Sequence, residues 1–385
     1  MRVLFFVEGY TDIRFVVGLS QICDLTMVVP QTAYQESGLK GRVIQSEIAL
    51  EVVEIPGSRL GFQWRSLCWL WRYAQEYDVI LAQEVLRGAL NANLVGRLRQ
   101  VPVVMMTAIA PVEYFRCRRE RKQLGWMQAI AGEWVIRSLV WLNGKLATRC
   151  LAMGSYLTQL NSRDCRETYN SLYYGIDVEY FSPPRLLERE HLRRHHHLPS
   201  DRFVILFPSR ISHEKDPETV LKAVAIARSR GLNAVILNLS GGYQTFLDLA
   251  KEMNLPDWET WVLARSAVHP MTEMADFLKL ADVVVQASLA EGLGIAPLEA
   301  IACGTPVVAT AVGGMAVTLP NYARLVPRRD AEAMAEQLLW VANHPKPAQL
   351  QALRGRNYVV REWNHQKAFG ELQNHLKAVR LVGIS

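Results

Sequence analysis

Residues 291–310 read EGLGIAPLEAIACGTPVVAT, a segment in which a glycine loop precedes a short helix and a buried strand. Pro297 suits the first position of that helix, where a missing N–H costs nothing. Gly304 suits its end, because Thr305–Pro306 directly after it cannot continue a helix. Val307–Thr310 is short, apolar and β-branched, which is typical of a strand buried on both faces. The segment therefore predicts a loop–helix–strand unit of an α/β fold.

The same segment carries the groups of a ligand site. Gly292, Leu293 and Gly294 can turn bare backbone N–H groups toward an anion at the positive end of the helix. Glu291 in the loop and Glu299 in the first helical turn supply carboxylates eight positions apart, and a carboxylate can accept hydrogen bonds from two vicinal sugar hydroxyls. The arrangement predicts a phosphate flanked by two sugars. A structural role is the alternative, since acidic residues and glycines are common near helix starts.

Length and composition limit the architecture. At 385 residues, 50% of them apolar, the chain can form two domains of about 150–200 residues each. The charge of +6 permits an anionic partner without naming one. Six cysteines without C-x-x-C spacing favour a reduced cytosol over a disulfide framework. The first apolar run, Val3–Val7, is too short for a signal peptide, and no stretch approaches the ~20 apolar residues of a membrane span.

The first half reads as short strands separated by helical patterns. Val3–Val7 ends at a turn that contains Gly9, and a helical pattern follows, as at the start of a βαβ unit. A lone glycine is more often a tight turn than a phosphate loop. The further strands predicted in this half are Thr26–Val29, Val43–Ile44, Val52–Ile55, Val79–Leu81 and Val101–Met106.

In the second half, strands and helical patterns alternate again after residues 173–184, YYGIDVEYFSPP. The turn and prolines of this segment are typical of a crossing between two domains. The three consecutive histidines at 195–197 do not predict a metal site, because they cannot all face one ion on a regular helix and no acidic or Cys partner is spaced nearby. The strands predicted here are Phe203–Phe207, Ala234–Leu239, Trp261–Leu263 and Val283–Gln286, with helices at about Glu218–Arg230 and Met271–Leu280.

Three charged residues follow the carboxyl ends of these strands. Arg210 and Lys215 come after the first strand of the second half, and Glu291 comes after Val283–Gln286. In open α/β sheets ligands bind at that edge. An Arg fork and a Lys point charge together can hold a diphosphate, although each cation by itself is more often a surface charge. Together with the glycine loop they predict a phosphate site.

Two segments of the first half are basic and rich in tryptophan. Trp64–Tyr73 (WRSLCWLWRY) is one, and Glu113–Lys122 (EYFRCRRERK), followed by Trp126, Trp134 and Trp141, is the other. We expect a solvated basic face with the tryptophans in the core. The alternative is a basic, Trp-bearing helix that lies on an anionic membrane surface.

These motifs, in this order, resemble one family. FPSRISHEKDPETVLKAV (residues 207–224) and EGLGIAPLEAIACGTPVVATAVGG (residues 291–314) resemble the nucleotide-sugar domain of retaining glycosyltransferases of family 4, within glycosyl transferases group 1. YYGIDVEYFSPP looks like the interdomain signature of that family, normally Asn-Gly-Val-Asp followed by Phe and Pro. The similarity covers the second half continuously and the first half in layout only. It implies the GT-B fold, in which two Rossmann-like doubly wound α/β domains face each other across a cleft.

The resemblance also implies a role for each matching residue. Glu299 would hold the ribose hydroxyls of the nucleotide, and Glu291 would face hydroxyls of the transferred sugar. Arg210 and Lys215 would neutralise the departing diphosphate, with the amides of residues 292–294 helping around the sugar and phosphate.

Two further roles come from the same resemblance. Gly9, in the other domain, would bring a backbone N–H over the diphosphate when the cleft closes. Val262–Arg265 would line the base, which makes Arg265 a donor-binding residue. No divalent ion or other cofactor is expected, since the proposed cations replace it and no Asp-x-Asp pair lies in the chain.

The sequence departs from the family pattern at three places. A His often follows the strand that corresponds to Val101–Met106, whereas residues 107–110 here are TAIA. Val317 stands where a Glu commonly follows the VGG turn, and residues 321–323 (NYA) lack the usual glycines. Glu113 is a substitute for the missing His, or else it balances the arginines beside it.

The sequence as a whole predicts an acceptor domain at residues 1–175, onto which a helical segment at 363–385 packs back, and a donor domain at 200–360. The expected reaction moves a hexosyl group from a UDP- or GDP-sugar to a hydroxyl of a glycan or glycolipid, in polysaccharide or cell-envelope glycan synthesis. The alternatives are a nucleotide-sugar epimerase or phosphorylase of GT-B fold and a non-catalytic nucleotide-sugar-binding subunit. The expected location is cytoplasmic, with peripheral membrane contact as an open alternative and no nucleic-acid partner.

Overall fold

A computed structural model of the chain describes residues 1–83, 85–122 and 125–382, with the side chains of 121, 122 and 382 left out. These residues form two compact units, Met1–Gly175 with the segment that begins at His365, and Ile176–Asn364. Each unit is built on a sheet in which the strand pairs are parallel. Helical crossovers cover both faces of such sheets, which is why the strands are apolar runs without alternation.

The first unit contains a seven-stranded sheet in the order β3-β2-β1-β4-β5-β6-β7. A 3-10 turn at Ala74–Glu76 precedes its fourth strand. In chain order the elements are β1 Arg2–Phe6, α1 Ile13–Ile22, β2 Asp24–Pro30, α2 Gln31–Glu36, α3 Leu39–Gln45, β3 Glu51–Ile55, α4 Arg59–Tyr73, β4 Val79–Ala82, α5 Arg87–Arg99, β5 Val103–Thr107, α6 Pro111–Lys122, α7 Trp126–Leu146, β6 Arg149–Met153, α8 Gly154–Asn161 and β7 Thr168–Ser171.

The second unit contains a six-stranded sheet in the order β10-β9-β8-β11-β12-β13. Two 3-10 turns, His213–Lys215 and Trp258–Thr260, lie in its connections. The elements are α9 Glu188–His195, β8 Phe203–Phe207, α10 Pro217–Ser229, β9 Ala234–Leu239, α11 Tyr243–Glu252, β10 Val262–Arg265, α12 Met274–Leu280, β11 Val283–Gln286, α13 Ile295–Ala302, β12 Val307–Thr310, α14 Gly313–Thr318, β13 Arg324–Val326, α15 Ala331–Asn343 and α16 Pro345–Glu362, followed by α17 His365–Val382.

Both sheets have the same doubly wound order, and this order decides where a ligand fits. In the first sheet β1 pairs with β2 on one side and with β4 on the other. In the second sheet β8 pairs in the same way with β9 and β11. The loops after two such central strands leave in opposite directions and open a crevice between them. Gly9 follows β1, while Arg210 and Lys215 follow β8 and Glu291 follows β11.

The last helix, α17, returns to the first unit. The ring of Phe369 occupies the space that a side chain at Gly18 of α1 would need, and its centroid lies 6.1 Å from that of Phe15. The two places where the chain passes between units lie side by side, because Ile176 N donates to Trp363 O at 2.6 Å and Ile176 bridges to Asn364. Residues 383–385 of the predicted C-terminal segment lie outside the described residues.

Most strands predicted from the sequence are present, and Val43–Ile44 is the exception. The structure places both residues in α3, so that prediction was wrong. Leu39 and Val43 are buried at helical spacing, whereas Ile44 is exposed. Burial of that i, i+4 pair therefore outweighs the β-branched character of the two residues. Two details also differ at α13, which begins at Ile295: Pro297 is its third residue, and Glu299 lies in the second turn rather than the first.

The tryptophans of the first unit are not in its core, so that expectation was wrong. The exposed fractions of Trp64, Trp126 and Trp134 are 69%, 73% and 69%. Trp71 and Trp141 are about half exposed, and Trp69 packs partly against the core. The inner face of these helices is filled by smaller side chains such as Phe62 and Leu70 of α4, which leaves the indoles outside.

A buried ion pair fixes α9 to the second sheet. The guanidinium of Arg193 lies 2.6 Å from Asp282 Oδ2 and donates through Nε to Leu280 O at 2.9 Å. The same Asp282 oxygen accepts from Val204 N, at the start of β8, at 2.7 Å. Removing the carboxylate would therefore leave the buried Arg193 guanidinium without this counter-charge and the Val204 N–H without an acceptor.

We expect Asp282→Ala to lower the free energy of unfolding by about 3 kcal/mol, since it breaks a buried pair from one side. Urea unfolding followed by circular dichroism measures the change. Glu332→Ala is the matched control, because its ion pair with Arg230 is exposed and contributes less than about 1 kcal/mol. Equal, small losses in both variants would show that the buried pair does not anchor α9.

Candidate active site

Lys215 and Glu291 meet at the crevice between β8 and β11. Lys215 ends the 3-10 turn after β8, and this turn is joined to the β11 loop because Leu289 N donates to Glu214 O at 2.8 Å. Lys215 Nζ lies 2.5 Å from Glu291 Oε2. The exposed fractions of the two side chains are only 15% and 13%. The structure thus brings together the two residues that the sequence assigned to the diphosphate and to the sugar.

The pair keeps unused hydrogen-bonding capacity. Glu291 Oε2 accepts from Lys215, from Ser288 Oγ at 3.0 Å and from Gln286 Nε2 at 3.3 Å. Glu291 Oε1 has no donor in the described part of the chain. Lys215 donates to Glu291 and to Ser288 Oγ at 3.5 Å, and a lysine ammonium has three N–H groups. One acceptor and one cationic donor are therefore left side by side for a ligand.

A buried polar network holds Glu291, and no sequence motif predicted it. Ser209 Oγ donates to Gln286 Oε1 at 2.9 Å, and Gln286 Nε2 donates to Ser288 Oγ at 2.7 Å. Thr310 Oγ1, at the end of β12, donates to Ser288 O at 2.6 Å. All four side chains are buried. The available signal was a polar residue at the end of an apolar strand or two positions beyond it, because polar groups buried there need hydrogen-bond partners.

Arg210 lies in the same loop as Lys215 but is solvent-exposed. Within the residues that the structure describes, its guanidinium makes no hydrogen bond or ion pair. A guanidinium presents five N–H donors in a planar fork suited to phosphate oxygens. The loop after β8 therefore offers one cation that is held by Glu291 and one that is available to an anion.

The glycine loop before α13 packs closely against Gly314 of α14. Gly294 has a φ of +89°, in the left-handed region, and its carbonyl accepts from Leu298 N at 3.3 Å. Gly314 N donates to Glu291 O at 3.0 Å, and a Cβ at Gly314 would lie 2.1 Å from Gly292 O. The N–H groups of Gly292, Leu293 and Gly294 have no acceptor among residues 1–83, 85–122 and 125–382. They stand ahead of a helix N-terminus, where an anion is favoured.

Glu299 is buried in the second turn of α13 rather than displayed on the surface. Burial first, and then acidic neighbours that include Asp276 and Glu299, raise the pKa of the nearby Tyr180 phenol to about 12. Tyr180 Oη accepts from Ala275 N at 3.1 Å. Burial likewise raises the pKa of the Cys303 thiol, which stays protonated at neutral pH. Glu299 is therefore a buried carboxylate of the second unit with Tyr180 as a neighbour.

Arg265 and Gly9 are the other two residues assigned from the sequence. Arg265 ends β10, two strands away from β8, and its guanidinium donates to His196 O at 2.7 Å. Gly9 follows β1 and belongs to the first unit. The roles assigned to them, at the base and at the diphosphate, stay predictions.

Glu113, the suggested substitute for the missing His, has a specific partner. Tyr156 Oη donates to Glu113 Oε1, and burial followed by this contact raises the pKa of the Tyr156 phenol. Of the arginines nearby, Arg116 pairs with another carboxylate, Glu133. Glu133 also pairs with Arg137 of α7, and the two guanidinium groups lower its pKa to about 2. In the described ranges, no cluster of three His, Cys, Asp or Glu side chains could hold a metal ion.

Comparison with known proteins assigns the chain to a family. The family model described as "Glycosyl transferases group 1" matches residues 188–357. D-inositol 3-phosphate glycosyltransferase 1 of Catenulispora acidiphila is 32% identical over 291 residues, which are 72% of this chain and 66% of that protein. The chain belongs to glycosyl transferases group 1. A D-inositol 3-phosphate glycosyltransferase of Arthrobacter sp. is 37% identical over 145 residues, which are 37% of this chain and 33% of that relative. The group 1 chain thus spans between a third and two thirds of these curated relatives.

Solved structures resemble the group 1 chain over nearly its whole length. Anabaena Alr3699/HepE in complex with UDP has a TM-score of 0.76 at 17% identity, covering 98% of this chain and 100% of that one. Sucrose-phosphate synthase of Thermosynechococcus elongatus has a TM-score of 0.73 at 19% identity, with coverages of 98% and 100%. Identities this low show the fold alone. With the two doubly wound sheets, they confirm the GT-B fold class.

We expect Gly314→Ala to destabilise the second unit by about 1–3 kcal/mol, because the new methyl group would meet the backbone of Gly292, which cannot move without shifting the site loop. Thermal unfolding measures this loss. Gly370→Ala, in α17, is the control: its Cβ would meet nothing within 4 Å, so unfolding should occur at the same or a higher temperature. A Gly314→Ala protein as stable as the parent would show that the loop is not held as closely as described.

Proposed function

We propose that this group 1 chain is a retaining, metal-independent glycosyltransferase. It would transfer a hexosyl group from a UDP- or GDP-sugar to a hydroxyl of a glycan or glycolipid acceptor in polysaccharide or cell-envelope glycan synthesis. One observation carries the proposal: the contact between Lys215 and Glu291 at the β8–β11 crevice, which leaves a cationic N–H and a carboxylate oxygen adjacent.

The diphosphate would occupy the space in front of the β8 loop. Arg210 supplies an unpaired fork there, and Lys215 supplies its third N–H. The amides of residues 292–294, which have no acceptor in the part of the chain described, would complete the ring of donors. Fixed cations and amides stabilise charge that develops in a transition state without having to reorganise.

The transferred sugar would bind to Glu291. Its Oε2 is held by Lys215, Ser288 and Gln286, so the side chain is positioned before any ligand arrives. Its Oε1 is the acceptor left for a sugar hydroxyl. Because the carboxylate touches the ammonium directly, one group orients the sugar while its partner contacts the leaving group.

The step we propose breaks the bond between the anomeric carbon and the diphosphate oxygen. The electron pair leaves with the diphosphate, whose growing charge Arg210 and Lys215 neutralise. The acceptor oxygen attacks the anomeric carbon from the same face, and its proton passes to a departing phosphate oxygen. Retention follows from attack on that face. The low exposure of Lys215 and Glu291 strengthens their electrostatic effect, since less water screens them.

Two relatives suggest the first compounds to test. Anabaena HepE has been solved with UDP-glucose, so UDP-glucose is the first candidate donor here. The curated relatives are named D-inositol 3-phosphate glycosyltransferases, so that phosphorylated polyol is one acceptor to include. Glycolipid and oligosaccharide acceptors form the other arms of the test.

We expect purified protein to release UDP or GDP from a nucleotide-sugar only when an acceptor is present. We also expect Arg210→Ala to bind UDP or GDP about tenfold or more weakly, because charge-assisted hydrogen bonds to the diphosphate are lost. Titration calorimetry measures this change in affinity. Arg354→Ala is the control: Arg354 is also exposed but lies on α16, outside the loops that follow β8 and β11. Consumption of the nucleotide-sugar without an acceptor would identify an epimerase, and a requirement for inorganic phosphate a phosphorylase. Binding without turnover would identify a non-catalytic subunit.

The ribose assignment of Glu299 can be tested separately. We expect the parent to bind UDP or GDP about tenfold more tightly than the matching 2′-deoxy nucleotide, because a ribose hydroxyl would donate to the carboxylate. Glu299→Gln should remove most of this discrimination while leaving the binding of the deoxy compound unchanged. Full discrimination in the variant would show that Glu299 has a structural role only.

A further inference from the structure

Three helices of the first unit form one layer on a face of its sheet. Asn91 of α5 donates to Gln63 O of α4 at 2.8 Å, and Asn93 of α5 donates to Asn143 Oδ1 of α7 at 2.9 Å. The Arg99 guanidinium of α5 lies 5.2 Å from the ring centroid of Trp71 on α4. The outward sides of α4, α5 and α7 are therefore neighbours in one continuous surface.

This outer surface is apolar in stripes that run along the helices. We call it the tryptophan face and define it by six exposed side chains: Trp64 and Trp71 on α4, Leu98 on α5, and Ile130, Trp134 and Trp141 on α7. The spacings of four and seven residues keep each stripe on one side of its helix. Other sides of the same helices carry buried residues, such as Leu70 on α4 and Val140 on α7.

The tryptophan face is basic as well as apolar. Eight Arg and Lys residues lie on α4, α5 and α7 against the single acidic residue Glu133. Glu133 is itself paired with Arg116 and Arg137, so it offers no free negative charge to a partner. A surface with this excess of positive charge favours an anionic partner.

The combination of exposed tryptophans and positive charge favours a lipid surface over a second copy of the chain as the partner of this face. A second copy of the chain would bring one basic surface against another, which is electrostatically unfavourable. Tryptophan suits the boundary between hydrocarbon and headgroups, because the ring is amphipathic and its N–H needs a polar neighbour. Arginine there can extend its charge to lipid phosphates while its stem covers apolar surface. In the described ranges, no helix is long and apolar enough to cross a membrane.

We propose that the tryptophan face docks on an anionic phospholipid bilayer, with α4, α5 and α7 lying in the interface plane. Apolar stripes bury into the boundary between headgroups and acyl chains, and the flanking arginines contact lipid phosphates. The proposal does not depend on the proposed reaction, because none of these residues belongs to the β8–β11 crevice.

Vesicle flotation with the full chain tests this docking. We expect the parent to float with vesicles that contain phosphatidylcholine and phosphatidylglycerol and to stay unbound with phosphatidylcholine alone. Trp134→Ser/Trp141→Ser removes two indoles, and Arg59→Gln/Arg97→Gln removes two exposed cations. Each pair should lower the partition coefficient by about tenfold or more, since each cation near an anionic surface contributes about fivefold. Added salt should weaken binding of the parent.

Matched controls lie in the second unit. Leu186→Ser/Leu350→Ser removes two large exposed apolar side chains, and Lys346→Gln/Arg354→Gln removes two exposed cations. Both controls should float like the parent. Unchanged circular dichroism melting shows that a variant is folded, and if the tryptophan pair fails to fold, the arginine pair and the salt series decide.

Three results would overturn the proposal. The first is an absence of parent flotation with phosphatidylglycerol vesicles. The second is an equal loss of binding in the controls. The third is a concentration-dependent dimer, seen by light scattering and abolished by Trp134→Ser/Trp141→Ser, in a parent that does not bind vesicles, which would assign the face to a second copy.

Discussion

The contact between Lys215 and Glu291 is the constraint around which the second unit is arranged. It closes the gap between two loops that leave adjacent strands in opposite directions, at the place where a doubly wound sheet opens. The buried Gln286 and Ser288 fix the carboxylate, and Thr310 fixes Ser288 from the next strand. Two opposite charges held this way compensate each other without a ligand, so the unit can keep a polar crevice and remain stable.

The same contact pairs only one of the two cations of the site with a carboxylate. Lys215 is compensated, whereas Arg210 in the same loop is not compensated by any side chain that the structure describes. Charge balance at the crevice is therefore incomplete until an anion arrives, and the unsatisfied amides of residues 292–294 point to the same requirement. A polar crevice of this kind favours a ligand that is anionic in one part and rich in hydroxyl groups in another.

Local sequence patterns predicted most of the fold, because buried parallel strands are short apolar runs that few other structures share. The prediction of a strand at Val43–Ile44 was wrong because it considered two β-branched residues alone. The longer segment is helical and buries Leu39 together with Val43. The glycine loop and charged residues were recognisable from spacing. The network of Ser209, Gln286, Ser288 and Thr310 was not, because it depends on contacts between three different strand ends. The exposed tryptophans were misjudged because composition does not say which side of a helix faces the sheet.

The return of α17 to the first unit has a consequence for biosynthesis. Residues 176–364 form one uninterrupted stretch, whereas the first unit needs Phe369 beside Gly18 and Phe15, more than 340 positions earlier. As the polypeptide emerges from the ribosome, the later unit is complete while the earlier one still lacks its closing helix. The nascent amino-terminal half therefore exposes the apolar surface of α1 until α17 has been synthesised, a period in which chaperones can bind it.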